Sequence, residues 1–125
     1  MLTPTKVHLH KKSKTLEVVL EDSTYFLPAE FLRVHSPSAE VKGHGPGQEK
    51  LVFGKIDVGI MDLKATGNYG LTLVFDDGHD SGIYSWSYLK LLCKQQQSYW
   101  ATYLDKLKAE GKARDPNVSV IQFSP

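Results

Sequence analysis

Apolar and polar residues alternate near the start of the chain with the two-residue period of a half-buried strand. Over residues 6–12, Val7 and Leu9 would point to one face and the intervening histidines to the other. Residues 15–20 and 24–27 are also apolar and β-branched, and short polar turns separate the three segments. The pattern predicts three strands joined by hairpins.

The stretch 71–92, LTLVFDDGHDSGIYSWSYLKLL, predicts a strand, an acidic turn, a return strand over 79–84 and a helix. Asp77-Gly78 between apolar runs favours a type I′ turn, in which both central residues have positive φ. Ser85 stands where a helix N-cap belongs. Helical spacing then turns three large apolar side chains towards the sheet: Trp86, Leu89 and Leu92.

The remaining apolar segments complete an α+β plan. Pro28 favours a short helix over 29–34, because its missing amide costs nothing at a helix start. Strands are predicted over 57–65 and 69–75, and a second helical segment runs through 99–107 to a stop at Gly111. We expect a small mixed or antiparallel sheet of hairpins, with a short helix and a longer C-terminal helix packed on it.

Composition narrows the class of protein. The 125 residues include 41% apolar and 23% charged residues with a net charge of +1, so neither disorder nor a basic nucleic-acid face is indicated. No apolar run approaches the ~18 residues of a membrane span, and no signal peptide is visible, so a cytoplasmic location is expected. We expect one domain over 1–125, with its core in 6–110 and a flexible tail over 111–125.

No catalytic residues are predicted. There is no G-x-S-x-G motif, and Cys93 falls on an apolar helix face, which indicates a buried structural thiol. Asp76 and Asp77 lie in a turn, where carboxylates usually form the turn rather than an acid–base pair. The glycine-rich segment around His44 lacks the spacing and the preceding strand of a phosphate-binding loop.

The histidines allow one metal hypothesis. His35, His44 and His79 would form a three-histidine site if the loop over 35–50 folded over the acidic turn. Separate surface histidines are the simpler interpretation, and no resident cofactor is expected.

The segments LRVHSPSAE and DDGHDSGIYSWSYL resemble the N-terminal domain of gamma-butyrobetaine hydroxylase. Stand-alone bacterial proteins of unknown function, grouped with that domain, are the most similar. The resemblance extends from residue 6 to about residue 107 and implies the same α+β domain. In the hydroxylase this domain precedes a catalytic jelly roll with iron and 2-oxoglutarate, and nothing here resembles that second domain, so catalysis does not carry over.

The resemblance also implies the position of a lost metal site. The hydroxylase domain holds a structural zinc through three cysteines and one histidine. The matching positions here are Ser36, Ser38, Val41 and His79. Hydroxyls and a valine cannot supply thiolates, so a polar replacement is expected in which Ser36 or Ser38 hydrogen-bonds His79.

The resulting expectation is a non-catalytic binding or adaptor module whose partner is another protein. The alternative is a zinc- or iron-binding accessory protein linked to an oxygenase or to iron–sulfur cluster handling, since similar domains are fused to Mrp-type ATPases. The expected interaction surface comprises Arg33, Ser36, Ser38, Gly43, His44, Gly45, Gly47, His79, Gly82 and Tyr84.

Overall fold

The computed structural model describes residues 3–21, 23–38, 41 and 49–118. The described chain contains two three-stranded antiparallel sheets and helices, which confirms the α+β class. The first sheet has the order β1-β2-β3 and the second the order β4-β5-β6. The strands are β1 Lys6–His10, β2 Thr15–Leu20, β3 Ser23–Pro28, β4 Ile60–Thr66, β5 Gly70–Phe75 and β6 Ile83–Ser85. The helices are α1 Ala29–Val34, α2 Trp86–Lys94 and α3 Gln96–Glu110.

One hydrophobic core joins the two sheets to α1 and α2. Burial alternates along β2, the strand predicted over 15–20, since Leu16, Val18 and Leu20 are buried and the residues between them are half-buried. A half-buried Trp86 also packs on this core, and its indole Nε1–H donates to the Asn68 carbonyl at 2.9 Å. The central strand and the apolar helix face were therefore predicted correctly.

Local signals set the ends of the C-terminal helices. The Ser85 hydroxyl accepts from the Tyr88 N–H at 3.2 Å, as an N-cap should. The helical run is interrupted at Gln95. Helix α3 ends at Glu110, and its C-cap Gly111 adopts a left-handed conformation with φ of 65°. The expected N-cap and helix stop are both confirmed.

The acidic turn differs from the predicted type I′ hairpin. In this turn positive φ is found only at Gly78, and the Gly78 N–H donates to the Phe75 carbonyl at 3.2 Å. The Phe75 N–H in turn donates to the His79 carbonyl at 3.0 Å. These bonds form a three-residue loop with a glycine bulge. The return strand is consequently shorter than predicted, because ladder pairing with β5 starts only at Ile83.

Part of the expected C-terminal tail is docked on the domain. The Ala113 and Arg114 carbonyls accept from the backbone N–H groups of Gly54 and Ile56, at 2.9 and 3.0 Å. Arg114 also pairs with the buried carboxylate of Glu30. Residues 119–125 of that tail lie outside the described part of the chain.

Candidate functional site

A buried polar cluster lies between the end of α1 and the acidic turn. The Ser36 Oγ is 2.8 Å from the His79 Nε2, and the Ser38 Oγ is 3.4 Å from the same nitrogen. Ser36 is 1% exposed, and Ser38 and His79 are each 6% exposed. Buried polar groups destabilise a fold unless they are hydrogen bonded. The contacts of His79 with the two serine hydroxyls supply such hydrogen bonds.

Local backbone structure places these side chains. The Ser36 N–H donates to the Arg33 carbonyl at 3.3 Å, which continues the last turn of α1. The Ser38 N–H donates weakly to the Ser36 Oγ at 3.4 Å. From the other side, the chain at Gly82 passes so close that an added Cβ would lie 2.3 Å from the Ser36 Oγ. Only glycine permits this approach.

Two tyrosines tie the same loop to the core. The buried Tyr84 hydroxyl donates to the Leu32 carbonyl at 2.5 Å, and the Tyr88 hydroxyl donates to the His35 carbonyl at 2.6 Å. Burial raises the pKa of Tyr84 far above its usual range and the pKa of Tyr88 to about 12. Both phenols therefore remain protonated donors that fix the end of α1.

An ion cluster of Arg33, Lys55 and Asp77 holds the acidic turn. The Arg33 Nε and the Lys55 Nζ lie 2.8 and 2.6 Å from the Asp77 Oδ2. The Asp77 Oδ1 accepts from the backbone N–H of His79 at 3.1 Å. Burial would raise the pKa of Asp77, but Lys55, the His79 N–H and Arg33 together lower it to about 2. Asp77 is therefore ionised, and its contacts hold the turn in place.

The contact between Ser36 and His79 has the spacing of a nucleophile and a base. A reactive pair needs a third group that orients the base, together with access for a substrate. The described contacts of the Asp77 carboxylate go to Arg33, Lys55 and the backbone N–H of His79. Since Ser36 is almost completely buried, its hydroxyl has little access to a substrate.

The cluster does not fit the zinc that the hydroxylase resemblance implies. Ser36, Ser38 and His79 converge, as the resemblance to the hydroxylase domain implied. Val41, three residues after Ser38, is also buried. The donor set, however, is two hydroxyls and one imidazole nitrogen that already contacts Ser36. Structural zinc sites need four ligands, usually including thiolates, and this set cannot supply them.

The three-histidine hypothesis receives no support from the described residues. The His35 Nδ1 lies 2.8 Å from the Phe31 carbonyl, so this nitrogen is the N–H donor. Burial lowers the pKa of His35, which keeps the ring neutral. His44 lies outside the described residues. Within them, neither His35 nor His79 belongs to a group of three or more metal-ligating side chains.

Most of the described residues of the predicted interaction surface are buried. Five of its residues are buried, Arg33 is mostly covered by its ion pair, and four lie in the segment that the structure does not describe. The buried residues are Ser36, Ser38, His79, Gly82 and Tyr84. The undescribed ones are Gly43, His44, Gly45 and Gly47. Because these five residues are covered by the rest of the fold, the expectation that they form an exposed contact surface is corrected.

A groove of about 510 Å³ lies beside the cluster instead. It runs between the end of α1, the segment 49–52 and one face of α3. Three tyrosines line it, and the Tyr103 hydroxyl donates to the Val52 carbonyl at 2.7 Å. The tyrosines are Tyr88, Tyr99 and Tyr103. The helical period of α3 predicted this face as core, and the sequence carries no signal that part of it lines a groove.

A second group of polar side chains on the outer face of β1 and β2 was also missed. His8, His10 and Glu17 place one ligand atom each within 4.8 Å of one another. The alternation of histidines along β1 was visible in the sequence, but the position of Glu17 depends on the pairing of the strands.

Comparison with known proteins identifies the family of the chain. The sequence profile of the family described as gamma-butyrobetaine hydroxylase-like, N-terminal, matches residues 7–90. The chain belongs to this family. No curated protein sequence matches the chain significantly.

Three solved structures are similar to this member of the gamma-butyrobetaine hydroxylase-like N-terminal family, two of them over nearly the whole chain. One structure solved by NMR is 50% identical with a TM-score of 0.84, covering 96% of this chain and 95% of its own. A second NMR structure is 41% identical with a TM-score of 0.76, covering 98% and 95%. A crystal structure from Acidithiobacillus ferrooxidans is 33% identical with a TM-score of 0.61, covering 73% and 92%. That protein is described as having unknown function and belonging to the DUF971 family.

The described helices of this family member do not include one that is long and apolar enough to cross a bilayer.

Proposed function

We propose that this protein is a non-catalytic binding module and that its ligand is a segment of another protein. The observation that carries the proposal is the tyrosine-lined groove beside the buried Ser36–Ser38–His79 cluster. The buried serine and histidine act as scaffold for the groove. The family match supports the domain type.

The groove has the chemistry of a protein contact. Tyrosine is enriched at protein interfaces because its ring offers a large area at low entropic cost. The Tyr88 and Tyr103 hydroxyls are held by backbone carbonyls, so their rings are fixed before a ligand arrives. Charges of both signs lie among the lining residues: Glu49, Lys50, Lys106 and Glu110. A peptide with apolar anchors and flanking charges of both signs fits this pattern.

Co-purification with groove variants tests this proposal. Thr102 is an exposed lining residue of α3, and Thr102→Arg would fill the groove without changing the core. Asp105→Arg on the same helix is the matched control, because Asp105 is exposed and does not line the groove. Tagged protein from its native cells should retain a stoichiometric partner in the wild type and in Asp105→Arg, and lose it in Thr102→Arg. Equal retention by both variants, or no partner with the wild type, would contradict the proposal.

We also propose that the Ser36–Ser38–His79 cluster is a metal-free replacement of the zinc site. Purified wild-type protein should contain no zinc or iron that depends on His79. Conversely, the triple variant Ser36→Cys, Ser38→Cys, Val41→Cys should acquire one more zinc per chain than the wild type, and His79→Ala should abolish that gain, since the variant restores three thiolates beside His79. Elemental analysis decides both points. Stoichiometric metal that is lost on His79→Ala but kept on His8→Ala would favour the alternative of a metal-binding accessory protein.

A further inference from the structure

A cluster of two histidines and one glutamate lies on the outer face of the first sheet, away from the groove residues. His8 and His10 are two residues apart on β1, so their side chains project from the same face. Glu17 on β2 is the direct cross-strand partner of His8 and is diagonal to His10. Side chains in direct and diagonal positions of an antiparallel pair lie within reach of each other.

The ligand atoms are already close. The His10 Nε2 lies 2.8 Å from the Glu17 Oε1, and the His8 Nδ1 lies 4.0 Å from the same oxygen. The two imidazole rings have their centroids 4.2 Å apart and are tilted by 31°. In a tetrahedral zinc site with bonds of about 2.0–2.1 Å, two ligand atoms are separated by roughly 3.3 Å. Shifts of less than about 1 Å, within side-chain rotation, would bring all three onto one ion.

We propose that His8, His10 and Glu17 form a surface site for a divalent transition-metal ion of the zinc class. Two imidazoles and a carboxylate are ligands that zinc accepts, and three protein ligands leave one coordination position open. A nitrogen that binds a metal must be unprotonated. On binding, the hydrogen between the His10 Nε2 and the Glu17 Oε1 is therefore lost to solvent or moves to the other ring nitrogen. The site thus differs in position and in donor set from the zinc site of the hydroxylase domain.

The environment of the cluster supports an ion site. The Glu17 side chain is only 15% exposed although it carries a carboxylate, and its Oε1 lies 2.8 Å from the His10 Nε2. The Lys6 Nζ lies 3.5 Å from the Glu17 Oε2 and supplies the positive charge that now faces this carboxylate. A bound dication would take over that role. Lys6 therefore competes with the metal, and its removal should strengthen binding.

Zinc titration of the full-length chain without an affinity tag tests the site. Isothermal titration calorimetry should show one saturable zinc site in the wild type. The variants His8→Ala, His10→Ala and Glu17→Gln should each weaken it at least about tenfold, since even partners that only support ligands contribute about 10- to 100-fold. Lys6→Met should bind more tightly than the wild type, a gain that loss of structure could not produce. His44→Asn, which removes a histidine outside the cluster, should bind like the wild type.

Nuclear magnetic resonance locates the ion independently. Zinc should shift the imidazole nitrogen resonances of His8 and His10 and leave those of His35 and His79 in place. The amide spectra of the apo variants should show that the fold is intact. The proposal is overturned by no saturable binding up to about 1 mM zinc, which corresponds to only ~4 kcal/mol. It is also overturned if the double variant His8→Ala, His10→Ala binds as the wild type does, or if His44→Asn abolishes binding.

Discussion

Arg114 makes two hydrogen bonds to the carboxylate of Glu30, from Nε to Oε2 at 2.9 Å and from Nη2 to Oε1 at 2.7 Å. Glu30 is a buried residue of α1, and the arginine comes from the segment after α3. The guanidinium also lies 5.0 Å from the centre of the Trp100 ring. This ion pair fastens the C-terminal segment to the first helix and satisfies a buried charge.

We expect Arg114→Met to destabilise the fold by about 1.5–3 kcal/mol, because it leaves the Glu30 carboxylate buried without its charged donor. The loss of stability is smaller than for a fully buried ion pair, because the arginine side chain is 38% exposed. Urea denaturation measures the effect. The double variant Glu30→Gln, Arg114→Met should be more stable than Arg114→Met alone, and Lys64→Met on exposed β4 is the control. Additive losses in the double variant would show that the two side chains do not interact.

Asp77 should make stability depend on pH in acid. Its pKa is lowered from 3.8 to about 2 in the folded protein, so its contribution is fully present above the unfolded value of about 3.9. That contribution is lost as the pH falls through this window towards 2. We expect about 1–2 kcal/mol after allowance for solvent screening. Thermal unfolding should show wild type more stable than Asp77→Asn at pH 6, with the difference shrinking by pH 2. A difference that is constant with pH would exclude this ionisation as its source.

Gly82 and Ser36 should be coupled in stability. An added Cβ at Gly82 would lie 2.3 Å from the Ser36 Oγ, so Gly82→Ala should destabilise the fold by about 1–3 kcal/mol through overpacking. Ser36→Ala should also destabilise, because it removes a partner of His79. The double variant Ser36→Ala, Gly82→Ala should lose less than the sum, since the alanine methyl no longer meets an oxygen. A double-mutant cycle from chemical denaturation gives the coupling. Strict additivity would indicate that the loop moves apart instead.

Cys93 should be unreactive in the native protein. It is buried on α2, and burial raises the pKa of its thiol to about 11, so little thiolate is present at pH 8. A disulfide reagent such as Ellman's reagent should react fully in denaturant and only at the rate of unfolding without it. Rapid native labelling would show that the core around α2 opens.

Much of the candidate site lay beyond prediction from local pattern. The match to the hydroxylase domain implied that the 36–41 segment lies beside His79, and the contact of Ser36 with His79 agrees with it. Ser36, Ser38 and His79 were also expected to belong to an exposed interaction surface, and all three are buried. Exposure depends on what the rest of the chain places over a residue. A polar side chain reads the same in the sequence whether its partner is water or another residue.

The sequence by itself determined the elements whose causes are local. The core-facing side of Val7 and Leu9 in β1, the Ser85 cap and the stop at Gly111 depend on neighbours within a few residues, and each occurs where the pattern predicted it. Tertiary structure alone decided the contacts between distant residues. Ser36 and His79 are 43 residues apart, and Glu30 and Arg114 are 84 apart. Such pairs form because strand pairing and core packing bring their backbones together, and the free energy that selects them belongs to the whole fold.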